Sequence, residues 1–146
     1  MSNKIMIDSS LLIEFEKGAK KKLLLSLTSN QNNECYINET IVSEYLYYFL
    51  ILNSNSSPQS LKSSRKISEV LRQSADYKLL EKFLFLASDS LLFSLVPDFM
   101  SKYNLLPNDA IILATCKIHG ITQLASHDKD FETPCKSEGI TLLTEN

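Results

Sequence analysis

With three glycines in 146 residues, the chain cannot supply the glycine-rich loop that cradles phosphates in nucleotide-driven motors and kinases. Its three cysteines, Cys35, Cys116 and Cys135, are odd in number and far apart, so no disulfide framework is expected. A reduced, cytoplasmic setting is the default expectation. No apolar run approaches the roughly 20 residues that a spanning helix needs. The longest, Ile41 to Leu52, reaches about a dozen, so no membrane segment is expected. The opening residues show no secretory pattern, because the run after Lys4 is short and β-like. Positive charge is also scarce: fifteen Lys and Arg against seventeen Asp and Glu leave a net charge of -2. Binding to a polyanion through bulk positive charge is therefore excluded. An acidic site that works through bound cations is not, because divalent ions would reverse the local field.

What the chain does contain is an alternation of short β-like runs with helical periodicity. Lys4 to Asp8 reads as a buried strand that ends in a carboxylate, and Ser9 or Ser10 is placed to cap a helix from Leu11 to Lys17, closed by Gly18. A second helix is expected from Ala19 to about Thr28, with Lys20, Lys21 and Lys22 in its first turn. A strand follows at Glu34–Ile37, and then a long helix from Asn38 or Thr40 to about Leu52. The stretch NSNSSPQSLKSS, residues 53–64, reads as the tip of a helical hairpin. Two helical stretches are expected within Arg65–Lys82, and a strand at Phe83–Ala87. A helix from about Ser90 to Tyr103 carries Pro97. Pro107 and Asn108 open a helix, Asp109 to His119, closed by Gly120. Further strands are expected at Ile121–Ser126 and Ile140–Thr144. Strands separated by helices give an α/β fold: a parallel sheet of about five strands flanked by helices, joined by right-handed crossovers.

Such a sheet has one functional rim, where strands end and the next helices begin. Asp8 ends the first strand, Asp109 opens a helix at that rim, and Asp128 lies just past the fourth strand. Glu44 stands in the second turn of the helix after strand two. It is the only charged residue between Thr40 and Leu61, set in a helix apolar on nearly every side. Each acid has a blander reading. Asp109 could only favour a helix dipole, Asp128 could be a turn residue, and Asp8 could be a cap. Together they form a set of hard oxygen donors suited to Mg2+ or Mn2+ and to phosphoryl chemistry. Cys116 and His119 have a metal-like spacing but no second pair, which argues against zinc. His127 reads as an exposed loop histidine. Lys20–Lys22, Arg65, Lys66 and Arg72 could steer phosphates or simply face solvent.

Four segments resemble the signature segments of the PIN-domain family, closest to the VapC-like toxins of type II toxin–antitoxin systems. They are MIDSSLLI at 6–13, Ser43 with Glu44, LPNDAIILAT at 106–115 and LASHDKDF at 124–131. The resemblance implies a PIN-like three-layer sandwich, with residues 1–146 as a single domain carrying a helical hairpin around 39–75. It implies an endoribonuclease in which Asp8, Asp109, Glu44 and Asp128 bind Mg2+ or Mn2+ and activate water. The expected RNA substrate is often tRNA or rRNA. Ser126 could hold a water, Ser9 lies beside the cluster, and Asp130 competes with Asp128 as the last acid. The same resemblance implies a homodimer and a small cognate antitoxin, and the apolar excess of the Tyr45–Leu52 helix points to such a partner. The alternatives are a catalytically silent binding module of the same fold and a housekeeping RNA-processing nuclease. A phosphatase of the haloacid dehalogenase kind would need a second acid where Ser10 stands.

Overall fold

In the computed structural model, residues 2–145 are described. Five parallel strands form one sheet: β1 (Asn3–Ile7), β2 (Asn33–Asn38), β3 (Leu84–Leu86), β4 (Gln123–Ala125) and β5 (Thr141–Leu143). Their spatial order is β3-β2-β1-β4-β5. Register is set by Ile5 opposite Cys35 on one side of β1 and opposite Gln123 on the other. The α/β expectation holds. The apolar triplet Ile5, Met6 and Ile7 is buried, as a strand covered on both faces requires.

The chain leaves β1 toward β2 and β3 through α1 (Ser9–Glu16), α2 (Lys22–Ser29), α3 (Glu39–Leu52), α4 (Pro58–Ser63) and α5 (Ile67–Gln73). A 3-10 segment at Asp76–Lys82 leads into β3. The chain then returns past β1 to β4 and β5 through α6 (Leu92–Tyr103), α7 (Pro107–Ile118) and α8 (Glu132–Glu138). Right-handed crossovers place the outgoing and returning helices on opposite faces of the sheet. α1 accordingly packs on α3, and α6 on α7. The direction of winding reverses between β1 and β4. That is the switch point where the crevice of an open parallel sheet forms.

Several local expectations are corrected. Ser9 and Ser10 do not cap α1; they are its first two residues, and Asp8 holds the cap position without a side-chain cap bond. The Asp8 carboxylate accepts from other hydroxyls instead, as described below. α2 starts at Lys22 rather than Ala19. Gly18 at φ 80° and Lys20 at φ 44° turn the chain through left-handed backbone, which a right-handed helix cannot include. The expected hairpin tip contains its own helix, α4, capped by Ser57 with Pro58 in the first turn. The second helical stretch before β3 is a 3-10 segment. Helix α8 was not expected. Its signals, Pro134 in the first turn and Gly139 at φ 73° after the last, sit close together around a seven-residue element.

Asn38 joins the two faces at the rim. Its side-chain carbonyl caps α3 by accepting from the Ile41 N–H at 3.0 Å, and its amide donates to Thr115 Oγ1 at 3.1 Å. The Thr115 hydroxyl in turn donates to the Ile111 carbonyl of α7 at 2.7 Å. Both residues are buried, so removing the amide loses a cap and leaves a buried oxygen one partner short. Asn38→Ala is expected to lower unfolding free energy by about 2 kcal/mol in urea titrations. A loss below about 0.5 kcal/mol would show that the bridge does not tie α3 to α7.

Candidate metal centre

The carboxylates of the rim are built around the β1–β4 switch point. Asp8 follows directly on β1 and is 4% exposed. Its Oδ2 accepts from Ser126 Oγ at 2.6 Å and from Ser10 Oγ at 2.7 Å. Burial pushes its pKa up, partly offset by those two hydroxyls. Glu44 faces Asp8 from the second turn of α3. Ser9 Oγ donates to its Oε1 at 3.0 Å, and Asn108 Nδ2 to its Oε2 at 3.2 Å. Desolvation raises its pKa too, with the charges of Asp8 and Asp128 adding to the rise.

Asp109, in the first turn of α7, is half-buried and accepts no hydrogen bond among those found in the described residues. Its pKa is pushed up to about 7, first by desolvation and then by the charges of Asp8, Asp128, Glu44 and Asp130. Carboxylate oxygens of Asp109, Asp128 and Asp130 all lie within 4.8 Å of one another. The choice between Asp128 and Asp130 therefore does not arise from distance, since both stand beside Asp109; Asp128 is half-buried and Asp130 exposed. Asp128 also fills its turn role, accepting from the Asp130 N–H at 2.9 Å.

The Ser126 hydroxyl, expected to hold a water, has protein partners instead. Ser126 is fully buried, and its single proton goes to Asp8 while its oxygen accepts the Asp128 N–H at 3.0 Å. It therefore fixes two acids relative to each other. Sequence reasoning missed Ser10, which holds Asp8 and accepts the His127 N–H at 2.9 Å. It also missed Asn108 as the donor to Glu44. Their only sequence signal was adjacency to a marked residue. His127 is half-buried rather than exposed, and its Nε2 is enclosed without a partner. Cys116 is buried in α7. His119 bonds the Ala87 carbonyl. They form no metal site among the described residues.

Among the described residues the ion pairs are Lys17–Glu14, Lys102–Glu138 and Lys117–Glu138, and none reaches the rim acids. A cleft of about 400 Å3 opens over them, lined by Asp8, Glu44, Asp109 and Asp128 together with Lys17, Lys20 and Tyr48. Crowded carboxylates without a paired cation, of which Asp8, Glu44 and Asp109 are desolvated and have raised pKa values, fit a divalent metal. The acids offer only hard oxygens, which suits Mg2+-like ions over zinc, although His127 also lines the cleft.

The PIN domain family matches residues 5–144. The chain belongs to the PIN-domain family. Two relatives from Methanocaldococcus jannaschii cover nearly all of it. Ribonuclease VapC2 is 31% identical over 131 residues, covering 89% of this chain and 88% of that protein. Ribonuclease VapC6 is 32% identical, covering 97% of each. Two solved structures share the fold. VapBC2 from Rickettsia felis, bound to a promoter DNA fragment, superposes with a TM-score of 0.61 at 14% identity, covering 98% of this chain and 99% of that one. FitAcB from Neisseria gonorrhoeae gives 0.57 at 16% identity, covering 95% and 96%. A PIN-like sheet with flanking helices is thus both the observed and the related architecture.

A carboxyl whose folded pKa is raised binds more protons folded than unfolded, so its contribution to stability falls as pH climbs from the unfolded to the folded value. For Asp109 that window runs from 3.8 to about 7. In chelator, stability is expected to fall across it. Asp109→Asn should flatten the fall and raise stability at pH 8 by about 1–2 kcal/mol, allowing for solvent screening. Urea titrations at pH 5 and pH 8 check this. Equal pH slopes for the two proteins would mean that Asp109 is not crowded.

Proposed function

We propose that the chain is a metal-dependent endoribonuclease that hydrolyses RNA phosphodiester bonds, acting as the toxin of a type II toxin–antitoxin pair. The observation that carries this reading is the unpaired carboxylate cluster at the switch point, in a chain more than 30% identical to two proteins named ribonuclease VapC. Asp8, Glu44, Asp109 and Asp128 would hold Mg2+ or Mn2+, with Asp130 at the open side. A divalent ion, when bound, supplies the charge that lowers the pKa of an attacking water and offsets charge on the scissile phosphate.

The chain's own groups prepare that chemistry. Ser126 and Ser10 orient Asp8, and Ser9 and Asn108 orient Glu44, so neither carboxylate must reorganise on binding. With its pKa pushed up to about 7, Asp109 is only partly ionised at neutral pH and would lose its proton as positive charge enters, which would couple cation affinity to pH. The same reading assigns residues 1–146 to one domain, an RNA such as tRNA or rRNA as substrate and the cytoplasm as its place of action. No helix among the described residues is long and apolar enough to cross a membrane. A small antitoxin and a second copy of the chain are the proposed partners. Exposed Tyr47 on α3, and Leu84 and Phe85 on the short edge strand β3, leave apolar surface for them.

Purified protein incubated with total RNA and Mg2+ or Mn2+ should cut it, and chelator should stop the cutting. Asp8→Asn should reduce the rate at least about a hundredfold, with an unchanged circular dichroism spectrum, because one ligand and its orientation are lost. An Asp8→Asn protein that cut RNA at the original rate would remove this assignment and favour a binding module.

A further inference from the structure

The cleft over the acids is not acidic throughout. Tyr48 lies four residues after Glu44 on α3, so both project from one face of the helix, and Tyr48 lines the same cleft as the carboxylates. Tyr48 is 45% exposed, and its ring stands edge-on to that of Tyr47, with centroids 5.7 Å apart. That contact restrains the ring while leaving much of it open. Lys17 and Lys20 line the same cleft, with Ile13 and Glu14 on the segment before them. Lys17 is exposed, and its ion-pair partner among the described residues is the half-buried Glu14 three residues earlier, at 3.5 Å; surface pairs of this kind hold lysine weakly. Lys20 has no ion pair among the described residues. It sits at φ 44°, a backbone position that glycine fills with less strain.

An aromatic ring beside two loosely held ammonium groups, next to a phosphoryl-transfer site, has the composition of a single-strand track. Rings stack on unpaired bases, and lysines follow the backbone phosphates. A duplex offers no free base face to the ring. We propose that Tyr48, Lys17 and Lys20 form a subsite for an unpaired nucleotide adjoining the scissile phosphate, Tyr48 stacking on its base and the lysines holding its phosphates. This deepens the ribonuclease reading and rests on it for the location of the scissile bond. Two lysines in the cleft supply local positive charge for phosphates that the net charge of -2 does not report.

Fluorescence anisotropy on the full chain tests the subsite, with Ca2+ replacing Mg2+ and a labelled oligoribonucleotide of about a dozen nucleotides, single-stranded or annealed to its complement. Tyr48→Ala should weaken single-strand binding about tenfold and leave duplex binding unchanged, and Tyr48→Trp should restore it. Lys20→Gly, which suits the left-handed backbone, should reduce the slope of log Kd against log salt by about 0.7. In cleavage assays with Mg2+, the Tyr48→Ala defect should fall in KM rather than kcat. Single-strand binding by Tyr48→Ala as tight as wild type overturns the proposal, as does an equal loss on duplex or a failure of Trp to rescue. A wild-type chain that binds in a Tyr48-dependent way but never cuts would sink the nuclease reading alone. One that cuts while Tyr48→Ala keeps full affinity would sink the subsite alone.

Discussion

Like charges are forced together at the carboxyl ends of β1 and β4, and much else in the molecule serves to hold them there. Asp8 is the point of greatest cost. It follows three buried apolar residues and is itself almost wholly out of water. Two serine hydroxyls meet one of its oxygens, and a second acid, Glu44, is held nearby by Ser9 and Asn108. These donors are neutral. They orient the carboxylates and partly replace lost hydration, yet they do not cancel the charge. The raised pKa values of Asp8, Glu44 and Asp109 are the electrostatic record of that arrangement.

Helix α7 shows how closely packing and chemistry are joined. Pro107 sets its first turn, and Ala110, Ile112, Leu113, Ala114 and Cys116 are all fully buried. A helix so embedded cannot shift to relieve strain at its start. Asp109 gains from the helix dipole, but that effect is worth about 0.3–1 kcal/mol. A pKa near 7 shows that desolvation and neighbouring charges outweigh it. An acid held only by a helix dipole would have its pKa lowered, whereas that of Asp109 is raised. Asp128 differs: it caps a turn with one oxygen and still lies within reach of Asp109.

Much of this was legible before any coordinates. An isolated acid after a buried strand, a lone glutamate in an apolar helix and an acid behind Pro107 each stand out against their neighbours, and periodicity alone placed them on one rim. Helix α8 was lost because seven residues give too little periodicity to register. Ser10, Asn108 and Tyr48 were lost for another reason. Serine, asparagine and tyrosine are ordinary in helices, and nothing in a linear chain marks which hydroxyl, amide or ring will face an acid many positions away.

The linear order of residues therefore determined the α/β class, the parallel strands and which acids share the rim, because strand and helix alternation leaves few topologies and strand ends are fixed by local pattern. Only the tertiary structure decided which oxygens are desolvated, which neutral donors orient them, and that no lysine pairs with them while two line the same cleft. Burial and charge coupling depend on distances through space. Those distances come into being when β1 pairs with β4 and α3 closes against α7.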